Sequence, residues 1–244
     1  MHQLSVIIPT LNEALCLRRT LEHLARVHPS PFEVIIVDGG STDQTAEIAA
    51  EFNTSCIKSD KPGRSIQMNV GANAAQGDLL CFLHADTLVP NKLVEVICKT
   101  LQEQHIVLAG FNSVMGDAGK VHRFTTWLNF SKTYFAPMLY RPYHCLFKGL
   151  RLLFGDQVMF CRKADFLKAG GFNEQLPIME EADLCLRMNR LGRIRQVSEK
   201  VYTSDRRIAR WGFWKAHSLY VGICLLWALR VSPHWLKKFY EEVR

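Results

Sequence analysis

Apolar residues fall along this chain in two alternating periods. Leu4-Ser5-Val6-Ile7-Ile8-Pro9 is a β-branched run closed by proline, which predicts a buried first strand. Thr10-Leu11-Asn12-Glu13 has the form of a capping box, Thr at the N-cap and Glu three residues later. Leu17, Leu21 and Leu24 then recur at helical spacing, so a helix is expected to about Val27, broken by Pro29 and Pro31. Phe32 to Val37 predicts a second strand. A second helix is expected from Ser41 or Thr42, with Ile48, Ala49 and Phe52 inward. Cys56-Ile57-Lys58 predicts a short third strand, and Pro62-Gly63-Arg64-Ser65 opens a helix to Ala75. Leu79 to Leu83 is an uncharged apolar run after Gly77-Asp78, and it predicts a strand buried on both faces. A helix over Lys92 to Gln104 and a strand over Ile106 to Phe111 follow.

Strand and helix in alternation imply βαβ units, hence an α/β fold with a mostly parallel central sheet flanked by helices. From Gly116 to about Leu153 the character changes: Trp127, Phe130, Tyr134, Phe135, Tyr140, Tyr143 and Phe147 interleave with Lys132, Arg141, Lys148 and Arg151. Such a stretch suits a membrane surface, an aromatic acceptor pocket or a helical hairpin packed on the sheet. Val158 to Arg162 predicts a returning strand, Gly170-Gly171-Phe172 a turn, Glu180 to Leu191 a helix closed by Gly192, and Arg195 to Val201 a last strand. The tail from Arg206 is basic and aromatic and is expected to end in a helix over about Pro233 to Arg244. With no repeat or linker, residues 1–244 read as one domain.

The hydrophobic fraction of 48% suits a globular chain. A formal net charge of +7 favours an anionic partner: a phosphorylated small molecule or an acidic membrane surface. No run of Lys and Arg and no RNP or zinc-finger pattern is present, so nucleic acid is not expected. None of the eight cysteines lies within four residues of another, which excludes a CxxC framework and suits a reducing, cytoplasmic setting. The first residues lack the basic region and cleavage site of a signal peptide. The late apolar run Leu219 to Leu229 falls short of the about 20 residues of a spanning helix. A cytoplasmic protein is expected, with contact at the inner face of the membrane left open.

Ligands on open α/β sheets bind beyond the carboxyl ends of the strands. That places His84-Ala85-Asp86 where such a sheet does its chemistry. Residues i and i+2 of an extended segment point the same way, so His84 and Asp86 are expected to face one ligand. A polar strand end running into a turn is the plainer alternative. Asp38 ends another strand and is followed by Gly39-Gly40, where backbone N–H groups can approach a ligand. Its carboxylate suits the imide N–H of a uracil, or it belongs to a tight turn. Neither GxGxxG nor GxxxxGK[ST] occurs. Arg64 can pair with a diphosphate, or stand as a solvated helix-end charge. A diphosphate held between an arginine and a Mn²⁺ or Mg²⁺ ion gives Asp86 a role, since these ions take carboxylate and phosphate oxygens. A separate carboxylate must take the proton of an acceptor hydroxyl. Glu180, Glu181 and Asp183 are the candidates, and mutual repulsion would raise a pKa among them. Ordinary acidic capping of a helix is the alternative.

Four stretches in order, Ser5 to Glu13, Glu33 to Asp43, Gly77 to Asp86, and Gly170-Gly171-Phe172 with Glu180-Glu181, resemble the family 2 glycosyltransferases over roughly residues 4–200. Gly63 to Asn69, Phe82 to Thr87 and Gly155-Asp156-Gln157 resemble a narrower branch, the transferases associated with radical-SAM/selenodomain proteins and arsenosugar biosynthesis. The resemblance implies a GT-A fold, a nucleotide-sugar donor and unknown acceptor, a divalent cation, and inversion at the anomeric carbon. It assigns about residues 1–112 to a nucleotide-binding half and about 113–205 to an acceptor half, with 206–244 as the basic and aromatic tail. It puts Pro9, Thr10, Asn12, Glu13, Asp38 and Gly39 at the nucleoside, and Arg64, Gln67 and His84 near the donor. It makes Asp86 the metal ligand, Glu181 the general base with Glu180 beside it, and sets Gly155, Asp156 and Gln157 on the acceptor side. Two departures stand out: the usual Asp-x-Asp is His84-Ala85-Asp86, and the usual Glu-Asp is Glu180-Glu181. Two other readings remain: a sugar-phosphate nucleotidyltransferase, against which stands the missing Gly-rich phosphate loop, and a non-catalytic membrane-surface protein on the same scaffold.

Overall fold

In the computed structural model, which describes residues 2–117, 120–204 and 206–240, the apolar runs become strands and the amphipathic stretches helices. The first half runs β1 (Leu4–Thr10), α1 (Ala14–Leu24), β2 (Glu33–Asp38), α2 (Thr45–Glu51), β3 (Ser55–Lys58), α3 (Arg64–Ala74), β4 (Leu79–Phe82), β5 (Thr87–Leu88), α4 (Leu93–Gln102) and β6 (Ile106–Asp117). Then come β7 (Lys120–Val121), α5 (Arg123–Tyr140), α6 (Pro142–Leu146), a 3-10 turn at Gly155–Gln157, β8 (Met159–Arg162), α7 (Lys163–Lys168), α8 (Glu180–Met188) and β9 (Arg193–Thr203). The tail holds α9 (Arg206–Trp211), α10 (Phe213–Ala228) and α11 (Pro233–Lys237).

Among the described residues nine strands form one sheet in the order β3-β2-β1-β4-β8-β6-β9-β5, with β7 paired to β6. β3, β2, β1, β4, β6 and β9 point one way, while β8, β5 and β7 run against them. The sheet is therefore mostly parallel, with the antiparallel β8 joining its two parallel parts. Successive side chains leave a strand on opposite faces, so β1 feeds two cores. Val6 and Ile8 pack with Leu17 and Leu21 of α1 and Ile97 and Leu101 of α4. Ile7 packs with Met68 of α3, Phe82, Phe166 and Phe172. Gly71 lets α3 lie on the sheet, since a Cβ there would come within 2.4 Å of Ile7 Cγ2.

Several boundaries differ from expectation. Thr10 is no N-cap: it ends β1, buried, and its hydroxyl turns to Asp38. α1 instead starts at Ala14, whose N–H donates 3.1 Å to Asp43 from the facing loop. The capping box fails because the cap comes from across the sheet. α2 begins at Thr45 rather than Ser41 or Thr42, because those two residues are held by Asp38 and Asn12 in a turn. The aromatic and basic stretch is helical, forming α5 and α6; of its residues the Tyr140 side chain lies outside the described ones. α10 has no counterpart in the expected elements. The terminal helix is seen at Pro233–Lys237, and positions 241–244 of its expected span lie outside the described residues. No helix among the described residues is long and apolar enough to cross a membrane. All eight cysteines are free, and burial pushes the Cys185 thiol up to about 12.

Candidate functional site

The carboxyl ends of β1 and β4, the start of α3 and the start of α8 face α5, α10 and α11 across a cleft of about 780 Å³. Its wall holds Pro9, Thr10, Glu13, Arg64, Gln67, His84, Asp86, Gly155, Asp156, Glu180 and Glu181, all singled out from the sequence. Asn12, Asp38, Gly39 and Gln157 do not line it.

His84 and Asp86 diverge rather than sharing one direction. The Thr87 N–H donates 3.2 Å to the His84 carbonyl, closing a turn that replaces the extended segment. Asp86 points to the β1 side, where its Oδ2 accepts 2.8 Å from Arg206 Nη2. The same nitrogen donates 3.0 Å to Glu13 Oε2. The His84 ring goes the other way, against Gly155 and Glu181: a Cβ on Gly155 would lie 2.4 Å from the ring and 2.8 Å from Glu181 Oε1. Only glycine fits there, which gives the Gly155-Asp156-Gln157 stretch a steric reason.

Glu180 and Glu181 open α8 and are 4% and 6% exposed. Met179 precedes them with φ of 66°, an uncommon conformation for a side-chain-bearing residue. Arg64 Nη1 stands 3.5 Å from Glu180 and 3.6 Å from Glu181. Burial pushes the Glu181 carboxyl up to about 7 and the Glu180 charge adds to this, while Arg64 pulls against both. A carboxylate that titrates near neutrality, in a cleft, at a helix N-terminus, has the character of a general base.

Gln67 and Asp38 hold the cleft rather than line it with free polar groups. Gln67 Nε2 donates 2.7 Å to both the Thr10 and Val37 carbonyls, tying α3 to the ends of β1 and β2. Gly39 is small for the same reason, since a Cβ would meet the Gln67 carboxamide at 3.1 Å. Asp38 accepts from the N–H groups of Gly40 and Ser41 at 3.0 and 2.9 Å and from Thr10 Oγ1 at 3.3 Å, so its carboxylate shapes the turn. Asn12 Oδ1 accepts 2.8 Å from the Thr42 N–H. Gln157 is buried, donating 2.8 Å to Thr133 and accepting 3.0 Å from the Phe154 N–H, which keeps it on the core side of its turn. Asp156 accepts 2.8 Å from Ser113 and 2.9 Å from Asn129 Nδ2.

Residues 5–166 match the family model "Glycosyl transferase family 2". The chain belongs to the family 2 glycosyltransferases. A PGL/p-HBAD biosynthesis glycosyltransferase of Mycobacterium bovis (strain BCG / Pasteur 1173P2) is 41% identical over 88 residues, 34% of each chain. The glycosyltransferase AglE of Haloferax volcanii is 33% identical over 116 residues, 44% of this chain and 38% of that one. The match thus spans between a third and two fifths of these relatives. In fold, the chain is similar to glucosyl-3-phosphoglycerate synthase from Mycobacterium tuberculosis in complex with Mn²⁺, UDP and glucosyl-3-phosphoglycerate, with TM-score 0.66, 20% identity, and coverage of 93% and 80%. It is also similar to S. aureus TarS in complex with UDP, with TM-score 0.63, 19% identity, and coverage of 86% and 62%. The fold is GT-A.

In this family 2 cleft the residues missed from the sequence are cations and clamps from distant segments. Arg206 is the first. Burial opposes its charge, but the hydrogen bond to Asp86 and the charges of Asp86 and Glu13 outweigh it and hold its pKa above the ordinary value. Lys132 of α5 is the second, with Nζ 5.2 Å from the Phe154 ring centre and 5.3 Å from that of Tyr220. Asn69 clamps the turn that leads to Glu180: it accepts 2.9 Å from the Phe172 N–H and donates 2.9 Å to the Phe172 carbonyl. A basic tail and an aromatic segment were visible in the sequence, but no spacing marks these residues as partners of the cleft.

For a divalent cation the donor set fits at one point, where Asp86 Oδ2 and Glu13 Oε2 converge within hydrogen-bond reach of one cationic nitrogen. Oxygen donors of this kind suit Mg²⁺ or Mn²⁺ rather than softer metals. No group of three or more His, Cys, Asp or Glu is gathered for a metal among the described residues. A cation there would need the ligand's own oxygens to complete its shell.

Proposed function

We propose that the chain transfers a sugar from a nucleotide-diphosphate sugar to an acceptor hydroxyl with inversion at the anomeric carbon. The observation that carries this is a buried carboxyl pair, Glu180 and Glu181, which opens α8 with Arg64 at 3.5 and 3.6 Å in the same cleft as the Asp86–Glu13 point. Glu181 takes the proton of the acceptor hydroxyl as its oxygen attacks the anomeric carbon in line, and the diphosphate leaves from the opposite face. Arg64, Lys132 and Arg206 set positive charge around the diphosphate as it gains negative charge. Asp86, with Glu13, would hold Mn²⁺ or Mg²⁺, which when bound supplies Lewis-acid charge to the leaving group. UDP is the preferred donor nucleotide, since two structures of like fold hold UDP. The stretches Gly63 to Asn69, Phe82 to Thr87 and Gly155 to Gln157 support placing the chain in the radical-SAM and arsenosugar-associated branch.

The test is calorimetric titration of UDP-sugars with and without Mn²⁺. Asp86→Ala should weaken donor binding about tenfold or more, the scale of a lost interaction with a charged group. Glu181→Gln should keep donor binding and lose transfer by about 10²–10⁴, the worth of a positioned base. Donor binding indifferent to Asp86, or undiminished turnover in Glu181→Gln, would remove these assignments.

A further inference from the structure

The net charge of +7 is not spread over the molecule. Residues 118–155 and 206–240 hold 13 of the 30 Lys and Arg and none of the 23 Asp and Glu. The remainder carries 17 basic against 23 acidic residues and is net negative. These two stretches are the ones that form α5, α6, α9, α10 and α11. They pack in succession, α6 on α5, α5 on α10, and α10 on α9 and α11.

The outward faces of α5, α6, α10 and α11 carry large apolar side chains, the reverse of a solvated surface helix. On α5 the exposed positions include Phe124, Trp127, Phe130, Phe135 and Met138, spaced at three to five residues. On α10 they are Trp214, Val221 and Leu225, with Leu229 beyond its end. α6 exposes Tyr143 and Leu146, with Phe147 just beyond its end, and α11 exposes Trp235. Trp214 is 80% exposed and Phe147 68%. The rings run on from helix to helix: Trp127 to Phe124 is 5.9 Å, Phe124 to Phe213 5.5 Å, and Phe213 to Trp214 5.2 Å. Under the start of this run lies a hollow of about 370 Å³ between α5 and strands β6 and β9, with Arg123, Lys200, Trp127, Phe130 and Tyr202 in its wall and no carboxylate.

We propose that this helical layer docks on an anionic phospholipid bilayer. Exposed aromatic and aliphatic side chains of this extent mark an interaction face. Trp, Tyr and Phe at the boundary of water and acyl chains, with Lys and Arg among them and acidic residues absent, match a bilayer of negative surface charge. The Arg123 and Lys200 hollow is of the size and charge to receive a phosphate headgroup. The inner sides of the same helices supply Asn129, Lys132, Tyr220 and Ile223 to the cleft, so docking brings the cleft to the membrane.

Flotation with vesicles tests this, and it does not depend on sugar transfer. The chain should float with phosphatidylcholine vesicles containing phosphatidylglycerol, and several-fold less with phosphatidylcholine alone or in high salt. Trp214→Ser with Phe147→Ser should cut flotation at low salt several-fold, and Arg123→Glu with Lys200→Glu should abolish the preference for phosphatidylglycerol. Circular dichroism and thermal unfolding of each variant, measured alongside, report that the fold is intact. Equal flotation on both vesicle types, or flotation unchanged in both variants, would overturn the proposal. So would a dimer in analytical ultracentrifugation that the Trp214 and Phe147 variant dissociates, because the face would then cover a second copy.

Discussion

At the scale of single residues, function rests on which form of a side chain the protein favours. Burial alone would make Glu181 a poor base by keeping it protonated, and the Glu180 charge adds to that. Arg64 restrains the rise. With a pKa of about 7, roughly half of the carboxyls are ionised at neutral pH, which suits a group that must both exist as a base and hold the proton it takes. The transfer rate should therefore rise with pH through about 7 and level off above it. Glu180→Gln removes a charge that raises the Glu181 pKa, so the rising limb should move to lower pH. Initial rates across a pH series would show this, and a limb that stays in place would mean that another group sets it.

At the scale of elements, much of the first half of the molecule was legible because its central strands are apolar runs and its helices carry an apolar stripe. β1, β2, β4, α1 and α4 follow such patterns closely. The failures come where a partner distant in sequence decides. α1 is capped by Asp43 rather than by its own Thr10, and Asn69 of α3 holds a turn more than a hundred residues on. Arg206, the first residue of α9, meets Asp86 from 120 positions away, which no local pattern reports. That contact has a measurable consequence. With Arg206 in place, a cation entering between Asp86 and Glu13 must compete with a guanidinium already bonded to both. Arg206→Ala should therefore tighten Mn²⁺ binding in the absence of nucleotide by about tenfold or more, since the cation no longer has to displace two charged hydrogen bonds. Electron paramagnetic resonance of free Mn²⁺ would read it, and unchanged affinity would mean that the two carboxylates do not meet a cation together.

At the scale of the whole molecule, the site opposes the fold that carries it. Glu181 ionises near its ordinary value of 4.5 when the chain is unfolded and only near 7 when it is folded. The folded state thus holds the proton more tightly. Stability linked to Glu181 is fully present below pH 4.5 and is lost as pH rises through 7. The loss is on the order of 3 kcal/mol, a large share of a domain's total. Asp43 and Asp78 act in the opposite sense. Their partial burial raises the pKa, but hydrogen bonds from Thr45 and Ala14, and from His2 and Gln3, outweigh it and bring both below the ordinary value. Their contribution is present above that value and is lost only in acid. Between pH 5 and 8 Glu181 therefore makes stability fall as pH rises, and Glu181→Gln, which cannot ionise, removes that contribution. The variant that abolishes transfer should gain thermal stability over the native chain at pH 8 but little at pH 5. Thermal unfolding of both proteins at the two pH values measures this, and an equal difference at pH 5 and pH 8 would mean that Glu181 ionises as easily in the fold as in water.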